Sequence, residues 1–106
     1  MQNEECKMQN VMILFDGMEA DADMILVPDG LAMRIDAVAQ EFFRWASDPA
    51  TVHDFWLTLP NGRKALALDT KEFVWYLNHH AIDNGERAEI VAQHIPYDSK
   101  YPTAYF

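Results

Sequence analysis

Two short runs of apolar residues stand near the start of the chain. Residues 11–15 and 24–27 are continuously apolar, which is the pattern of strands that are buried on both faces. The stretch between them holds Gly17 and several acidic residues, so we predict two strands joined by an irregular loop. Residues 1–9 are mostly polar, and we expect them to be frayed.

The next segment has the period of an α-helix. Its apolar residues are spaced by four, three, four and three positions and share one side of a helix: Leu31, Ile35, Val38, Phe42 and Trp45. Asp29 is the expected N-cap. The Asp48-Pro49 pair ends this helix, because the residue before a proline is disfavoured in helical conformation.

Residues 54–69 then predict a β-hairpin. Asn61 and Gly62 both tolerate the positive φ angles of a type I′ turn. That turn would pair Leu57 with Leu66 on one face of the hairpin. It would place Trp56 on the other face among alanines, so Trp56 is a candidate contact for a partner protein.

A second helix is predicted after the hairpin. Asp69 followed by Glu72 fits a capping box at its start, and Asn84-Gly85 supplies the left-handed residue that ends it. Residues 88–95 form a further predicted strand. Residues 97–106 are rich in tyrosine and follow Pro96, so we expect an extended aromatic tail that packs over the domain.

The predicted order of elements places the chain in the α+β class, as a single domain over residues 1–106. The order is strand, strand, helix, strand, strand, helix, strand. If one of the first two strands is set aside, this is the βαββαβ order of a ferredoxin-like unit. We therefore expect an antiparallel sheet with two helices, possessing an extra N-terminal strand.

The charge of the chain is strongly and unevenly negative. The chain has 17 acidic and 8 basic residues, and residues 1–29 carry −6 of the net charge of −9. A field of that sign repels phosphate backbones, so direct binding to DNA or RNA is not expected. The single cysteine, the polar start and the lack of a long apolar run lead us to expect a cytoplasmic protein without a membrane segment.

The acidic stretch between the first two strands is the first candidate site. Asp16, Glu19, Asp21 and Asp23 lie within eight residues, but their spacing does not match a calcium-binding loop. Two interpretations remain open. The carboxylates either keep a turn solvated and oppose aggregation of the strands, or they attract a basic partner.

Candidates for metal binding and catalysis are weaker. His79 and Asp83 have the i, i+4 spacing of helical metal ligands, but a third ligand would have to come from elsewhere in the chain. Histidines in the last turn of a helix are also favoured by the helix dipole alone. Neither Ser47 nor Ser99 lies in a nucleophile turn, and no phosphate-binding loop is present in the sequence. We expect neither an enzyme nor a cofactor.

These patterns favour a small acidic module for protein–protein interaction. We expect it to bind a basic surface of another protein through the residues Asp16, Glu19, Asp21, Asp23 and Trp56. Because carboxylates can stand in for phosphates, the specific hypothesis is an inhibitor of nucleic-acid-handling machinery. The analogy, of size and charge, is to the anti-restriction and anti-CRISPR inhibitors of phages and mobile elements.

Two alternative hypotheses belong to other functional classes. In one, the chain is an enzyme or a domain that binds a small molecule or metal in a pocket lined by His53, His94, Trp56 and Tyr97. In the other, it is a structural subunit of a homo-oligomer. That hypothesis is motivated by Val74 and Trp75, which would widen the apolar surface of the second helix.

Overall fold

A computed structural model describes residues 7–83 and 85–106 of the chain. The strands in these residues are β1 (Met8–Leu14), β2 (Ala22–Pro28), β3 (Trp56–Thr58), β4 (Lys64–Leu66), β5 (Glu89–Ile95) and β6 (Thr103–Tyr105). The helices are α1 (Asp29–Ala32), α2 (Ile35–Ser47) and α3 (Thr70–Tyr76), and α3 continues into one π-helical turn (Leu77–Ala81). The predicted α+β class is confirmed.

The main sheet is mixed rather than purely antiparallel. In the described residues its strand order is β5-β2-β1-β6, and β3 pairs only with β4 in a separate hairpin. Strands β1 and β2 are antiparallel neighbours, whereas β6 runs parallel to β1. The prediction of a purely antiparallel sheet is therefore wrong, because the tail supplies a parallel strand. The ferredoxin-like order is not confirmed, because β3 and β4 pair with each other outside the main sheet.

The main core lies between one face of this sheet and the helices. Val11 and Ile13 of β1 point into it together with Ile25 and Val27 of β2. Phe42 of α2 is fully buried, and its ring centroid is 5.0 Å from that of Tyr76 and 5.4 Å from that of Phe73 on α3. Aromatic packing thus joins the two helices over the sheet. The apolar stripe predicted for the first helix faces this core.

The second face of the sheet is also covered. Met12, Leu14 and Ala22 form a smaller buried cluster, against which Tyr97 and Tyr101 of the tail pack. Successive residues of a strand point to opposite faces, so the continuous apolar run in β1 serves both cores. Residues 97–102 lead from β5 to β6 and contain a turn, in which the Tyr101 N–H donates to the Asp98 carbonyl at 3.3 Å.

Three predicted boundaries differ from the structure. The first helix is interrupted after Ala32, and its first helical residue rather than its N-cap is Asp29. Residues 8 and 9 belong to β1 rather than to a frayed end, since Met8 pairs with Pro28 across the hairpin. Residues 1–6 and Asn84 lie outside the described residues. The capping box of Asp69 and Glu72 is present as predicted at the start of α3.

The β3–β4 hairpin forms in a different register from the one predicted. Leu57 pairs with Ala65, and Trp56 pairs with Leu66. A shift of one residue exchanges the faces of one strand relative to the other. The prediction that Trp56 stands among alanines is therefore wrong.

Pro60 explains this register. A two-residue loop at Asn61-Gly62 would require the residue before it to exchange two backbone hydrogen bonds across the turn, but proline has no N–H. Instead, the Leu59 N–H donates to the Arg63 carbonyl at 2.7 Å. The loop thus has three residues, and Gly62 takes the left-handed conformation, with φ of +85°, that such loops need.

Each edge strand of the main sheet carries a feature that opposes pairing with another chain. On β6, the Tyr105 N–H donates to Asp36 Oδ1 at 2.9 Å, and the Tyr105 carbonyl accepts from Gln40 Nε2 at 3.2 Å. Side chains of α2 thus occupy both backbone groups of this edge residue. On β5, two register shifts interrupt the pairing with β2. Such bulges and covered edges oppose edge-to-edge association.

Within residues 7–83 and 85–106, no helix has the length and apolar character to cross a bilayer.

Candidate functional site at the acidic end of the sheet

The loop between β1 and β2 consists of two successive turns. The Met18 N–H donates to the Phe15 carbonyl at 3.0 Å, and Asp16 and Gly17 at the centre of this turn have φ of 53° and 69°. Positive φ at both central positions is the signature of a type I′ turn. In the second turn, the Asp21 N–H donates to the Met18 carbonyl at 3.1 Å. The loop predicted to be irregular is therefore a defined structure.

The tail holds this loop from two sides. The Asp16 N–H donates to the Phe106 carbonyl at 3.1 Å, and the Tyr97 N–H donates to the Glu19 carbonyl at 2.7 Å. Both contacts join residues that are far apart in the sequence. The exposed carboxylates of Asp16, Glu19 and Asp21 consequently project from an anchored backbone, which lowers the conformational entropy that a partner would have to remove on binding.

Asp23 differs from the other acids of this segment because it is buried. It is 5% exposed, and its Oδ2 accepts a hydrogen bond from Thr70 Oγ1. The same oxygen lies 3.4 Å from Gln93 Nε2, and Oδ1 accepts from the His94 N–H at 3.1 Å. These bonds tie β2 to α3 and β5. Asp23 therefore cannot take part in the predicted partner surface, and its role in the fold is structural.

His94 bridges the acidic loop and the edge strand β5. Two residues of β5, Gln93 and His94, lie opposite Asp23, and His94 has φ of 59°. A bulge of this kind redirects a side chain. His94 Nδ1 donates to Asp21 Oδ1 at 2.6 Å. This hydrogen bond and the charge of Asp21 raise the pKa of His94 above its ordinary value, and the charges of Asp23 and Asp69 act in the same direction.

The remaining acids of the loop have no basic partner among the described residues. In residues 7–83 and 85–106, ion pairs within 4 Å join His94 to Asp21 and Lys100 to Asp98. Asp16 and Glu19 are exposed and belong to neither pair. The fold also brings Asp69, from the start of α3, close enough to influence His94. The acidic end of the sheet is defined here as Asp16, Glu19, Asp21 and Asp69.

Trp56 contacts residues other than these acids. It is half-buried on β3, and its ring stacks on His53 with centroids 5.9 Å apart and an interplanar angle of 15°. It borders a depression of about 300 Å³ together with Pro49 and Lys64. The sequence placed Trp56 and the acidic residues in one set of candidates, and that grouping stays a prediction.

The weak metal candidates also have other partners. His79 Nδ1 donates to the Trp75 carbonyl at 2.8 Å, and the two rings stack with centroids 4.1 Å apart. Asp83 lies beyond the helical residues. No group of three His, Cys, Asp or Glu side chains that could hold a metal ion occurs in the part of the chain that the structure describes.

His53 and His94, proposed as neighbours in a pocket, have different surroundings. His53 Nε2 donates to the Ala46 carbonyl at 2.9 Å while its Nδ1 accepts from the Phe55 N–H at 3.0 Å. His94 instead contacts Asp21. The residues proposed for an oligomer interface are partly used within the fold: Val74 packs against the main core, and Trp75 is 40% exposed.

Three residues that the fold brings to this end of the sheet were not identified from the sequence as site residues: Thr70, Gln93 and Asp69. Thr70 is 47 positions and Gln93 is 70 positions from Asp23 in the sequence, so no local motif connects them. The Asp16-Gly17 pair, by contrast, was a recognisable signal for a type I′ turn.

No protein-family model, no curated protein and no solved structure matches the chain significantly.

Proposed function

We propose that this protein is an acidic interaction module that binds a basic surface of another protein through the acidic end of the sheet. The observation that carries the proposal is that Asp16 and Glu19 are exposed on a loop anchored by its own turns and by the tail, with no Lys or Arg pairing with either among the described residues. Anchored charges of one sign speed association and select partners of opposite charge.

The specific form of the proposal is an inhibitor of nucleic-acid-handling machinery. Proteins that bind nucleic acids present Lys and Arg to phosphate groups, and a row of carboxylates can occupy those basic sites. The net charge of −9 on a chain of 106 residues supports this form. The partner class is then a basic protein of the kind targeted by anti-restriction and anti-CRISPR inhibitors.

A paired comparison of charge variants tests the proposal. The test variant carries Asp16→Asn and Glu19→Gln, and Asn is well tolerated at the left-handed position of Asp16. The matched control carries Asp54→Asn and Glu89→Gln, two exposed acids outside the loop. Both variants remove two negative charges, so overall charge is held equal.

The measurement is capture of proteins from the native host at low and high salt. We expect the wild type and the control to retain the same basic proteins at low salt, to release them at high salt, and to compete with nucleic acid for them. The test variant is expected to lose them. Equal capture by the test variant would show that the acidic end of the sheet does not form the interface.

A further inference from the structure

A groove lies between α2, β6 and the β3–β4 hairpin. Its volume is about 350 Å³, and it is lined by Phe15, Gln40, Phe43, Leu66, Leu68 and Phe106 among others. This volume is at the low end of the range of small-molecule pockets, roughly 300–1,000 Å³. The groove therefore has room for one or two side chains rather than for a large ligand.

The groove is apolar and open to solvent. Phe43 is 51% exposed, although the neighbouring Phe42 is fully buried. Leu66 and Leu68 on the hairpin are half-buried and pack at the margin of the main core. A large exposed ring next to partly buried aliphatic side chains is typical of a surface that a partner covers.

The carboxylate of Asp36 and the backbone of the acidic loop meet the end of this groove at Tyr105 and Phe106. Asp36, one helical turn before Gln40, accepts the Tyr105 N–H, and the Asp16 N–H donates to the Phe106 carbonyl. Neither carboxylate pairs with a Lys or Arg in residues 7–83 and 85–106. The groove thus combines an apolar wall with unneutralised negative charge at one end.

On the β6 side of the groove, Tyr105 has no backbone group free to pair with an added strand. Both backbone groups of Tyr105 are occupied by side chains of α2. At this edge a partner is therefore recognised through its side chains rather than by extending β6. Apolar surface and negative charge together call for an apolar side chain next to a basic one.

We propose that this groove receives a large apolar side chain from a segment of the partner protein, and that a Lys or Arg next to it contacts Asp36 and Asp16. This inference rests on the proposed function and extends it, because Asp16 belongs to both surfaces. It names the chemistry of the partner: a basic segment with an aromatic or long aliphatic anchor. Anchors of this kind commonly dominate the energy of an interface.

Peptide titration followed by NMR tests this inference. The probes are three short peptides: one with a central tryptophan between lysines and arginines, one with alanine in place of the tryptophan, and one with glutamates in place of the basic residues. We expect the first to shift signals of Phe43, Leu66 and Leu68. The second should perturb only residues 16–21, and the third should not bind.

Variants of the protein locate the two contributions. Phe43→Ala should weaken binding of the first peptide by about fivefold to tenfold, because it removes apolar surface that the tryptophan would cover. Asp36→Asn keeps the oxygen that accepts the Tyr105 N–H but removes the charge, and it should weaken the same peptide by about twofold to fivefold. Val52→Ala, at a side chain that is 95% exposed, and Asp54→Asn are the controls and should change neither affinity.

The outcomes separate this inference from the proposed function. Equal binding of the tryptophan and alanine peptides, confined to residues 16–21, overturns the groove and leaves the acidic interface standing. Equal binding of the basic and acidic tryptophan peptides overturns the requirement for charge and reveals a plain apolar ligand site. If none of the peptides binds at low salt, both the groove and the acidic interface are contradicted.

Discussion

At the scale of single residues, Asp23 shows that neighbouring acids in a sequence can have opposite roles. Its carboxylate is buried and accepts hydrogen bonds from Thr70 and His94, while Asp21, two residues earlier, is exposed. Burial of a carboxylate is tolerated where its oxygens are hydrogen-bonded. Asp23 is therefore a structural link, whereas Asp21 contributes to the surface.

Replacing Asp23 is expected to destabilise the fold. Asp23→Ala leaves the Thr70 hydroxyl and the His94 N–H without their acceptor, which should reduce the free energy of unfolding by about 1–3 kcal/mol. Asp21→Ala, at an exposed position, should change it by no more than about 0.5 kcal/mol. Urea denaturation measures both. A smaller loss for Asp23→Ala than for Asp21→Ala would contradict the assignment.

His94 should make the anchoring of the acidic loop dependent on pH. Its pKa in the folded protein is raised, chiefly by the hydrogen bond to Asp21, so the protonated form is favoured by folding. The stabilisation is then fully present below the ordinary histidine pKa of about 6.5 and is lost as pH rises through the raised value. NMR titration of the His94 ring should give a pKa above 6.5.

The matching control is Asp21→Asn. This variant keeps a hydrogen-bond acceptor for His94 but removes the negative charge at residue 21. We expect the His94 pKa to fall back toward its ordinary value in this variant, and the pH dependence of stability in that range to become flatter. A His94 pKa at or below the ordinary value in the wild type would show that the contact with Asp21 is not populated in solution.

At the scale of elements, two turns in which an acidic or amide residue precedes glycine behave differently. Asp16-Gly17 forms a turn with two positive φ angles, whereas Asn61-Gly62 belongs to a three-residue loop. The difference lies in Pro60, which has no N–H for the tighter loop. The type of each turn could therefore be predicted from local sequence, provided that the residue before each pair was considered.

Two glycine substitutions test this account of the backbone. Gly62 has φ of +85° and Gly30 lies in α1, and an added Cβ at either position meets no atom within 4 Å. Gly62→Ala should therefore lower the free energy of unfolding by about 1–2 kcal/mol, because alanine is strained in the left-handed conformation. Gly30→Ala should raise the free energy of unfolding by about 0.4–1 kcal/mol, because alanine restricts the unfolded chain. Equal effects on thermal unfolding would contradict the assigned hairpin loop.

Most elements could be predicted because their signals are local. The apolar runs identified β1 and β2, the period of about 3.6 residues identified α2, and the capping box marked the start of α3. Strand β6 was missed because its three residues have no period of their own. They become a strand only where β1 offers an edge with which to pair.

At the scale of the whole molecule, the distribution of charge depends on the fold. Asp29 begins α1 at the opposite end of β2 from Asp21, so the early acids do not form one patch. The fold instead adds Asp69, the N-cap of α3, to the acidic end of the sheet. Composition predicted the sign of the surface, but burial of Asp23 and the arrival of Asp69 depend on contacts between distant segments.

The most direct test of the acidic interface is the affinity of a captured partner as a function of salt. Each exposed ion pair contributes roughly 0.2–1 kcal/mol, so Asp16→Asn with Glu19→Gln should weaken binding by about twofold to thirtyfold at low salt. The dependence on salt should also become shallower, while Asp54→Asn with Glu89→Gln should preserve both properties. Calorimetry that gives the same affinity and the same salt dependence for both variants would contradict the proposed interface.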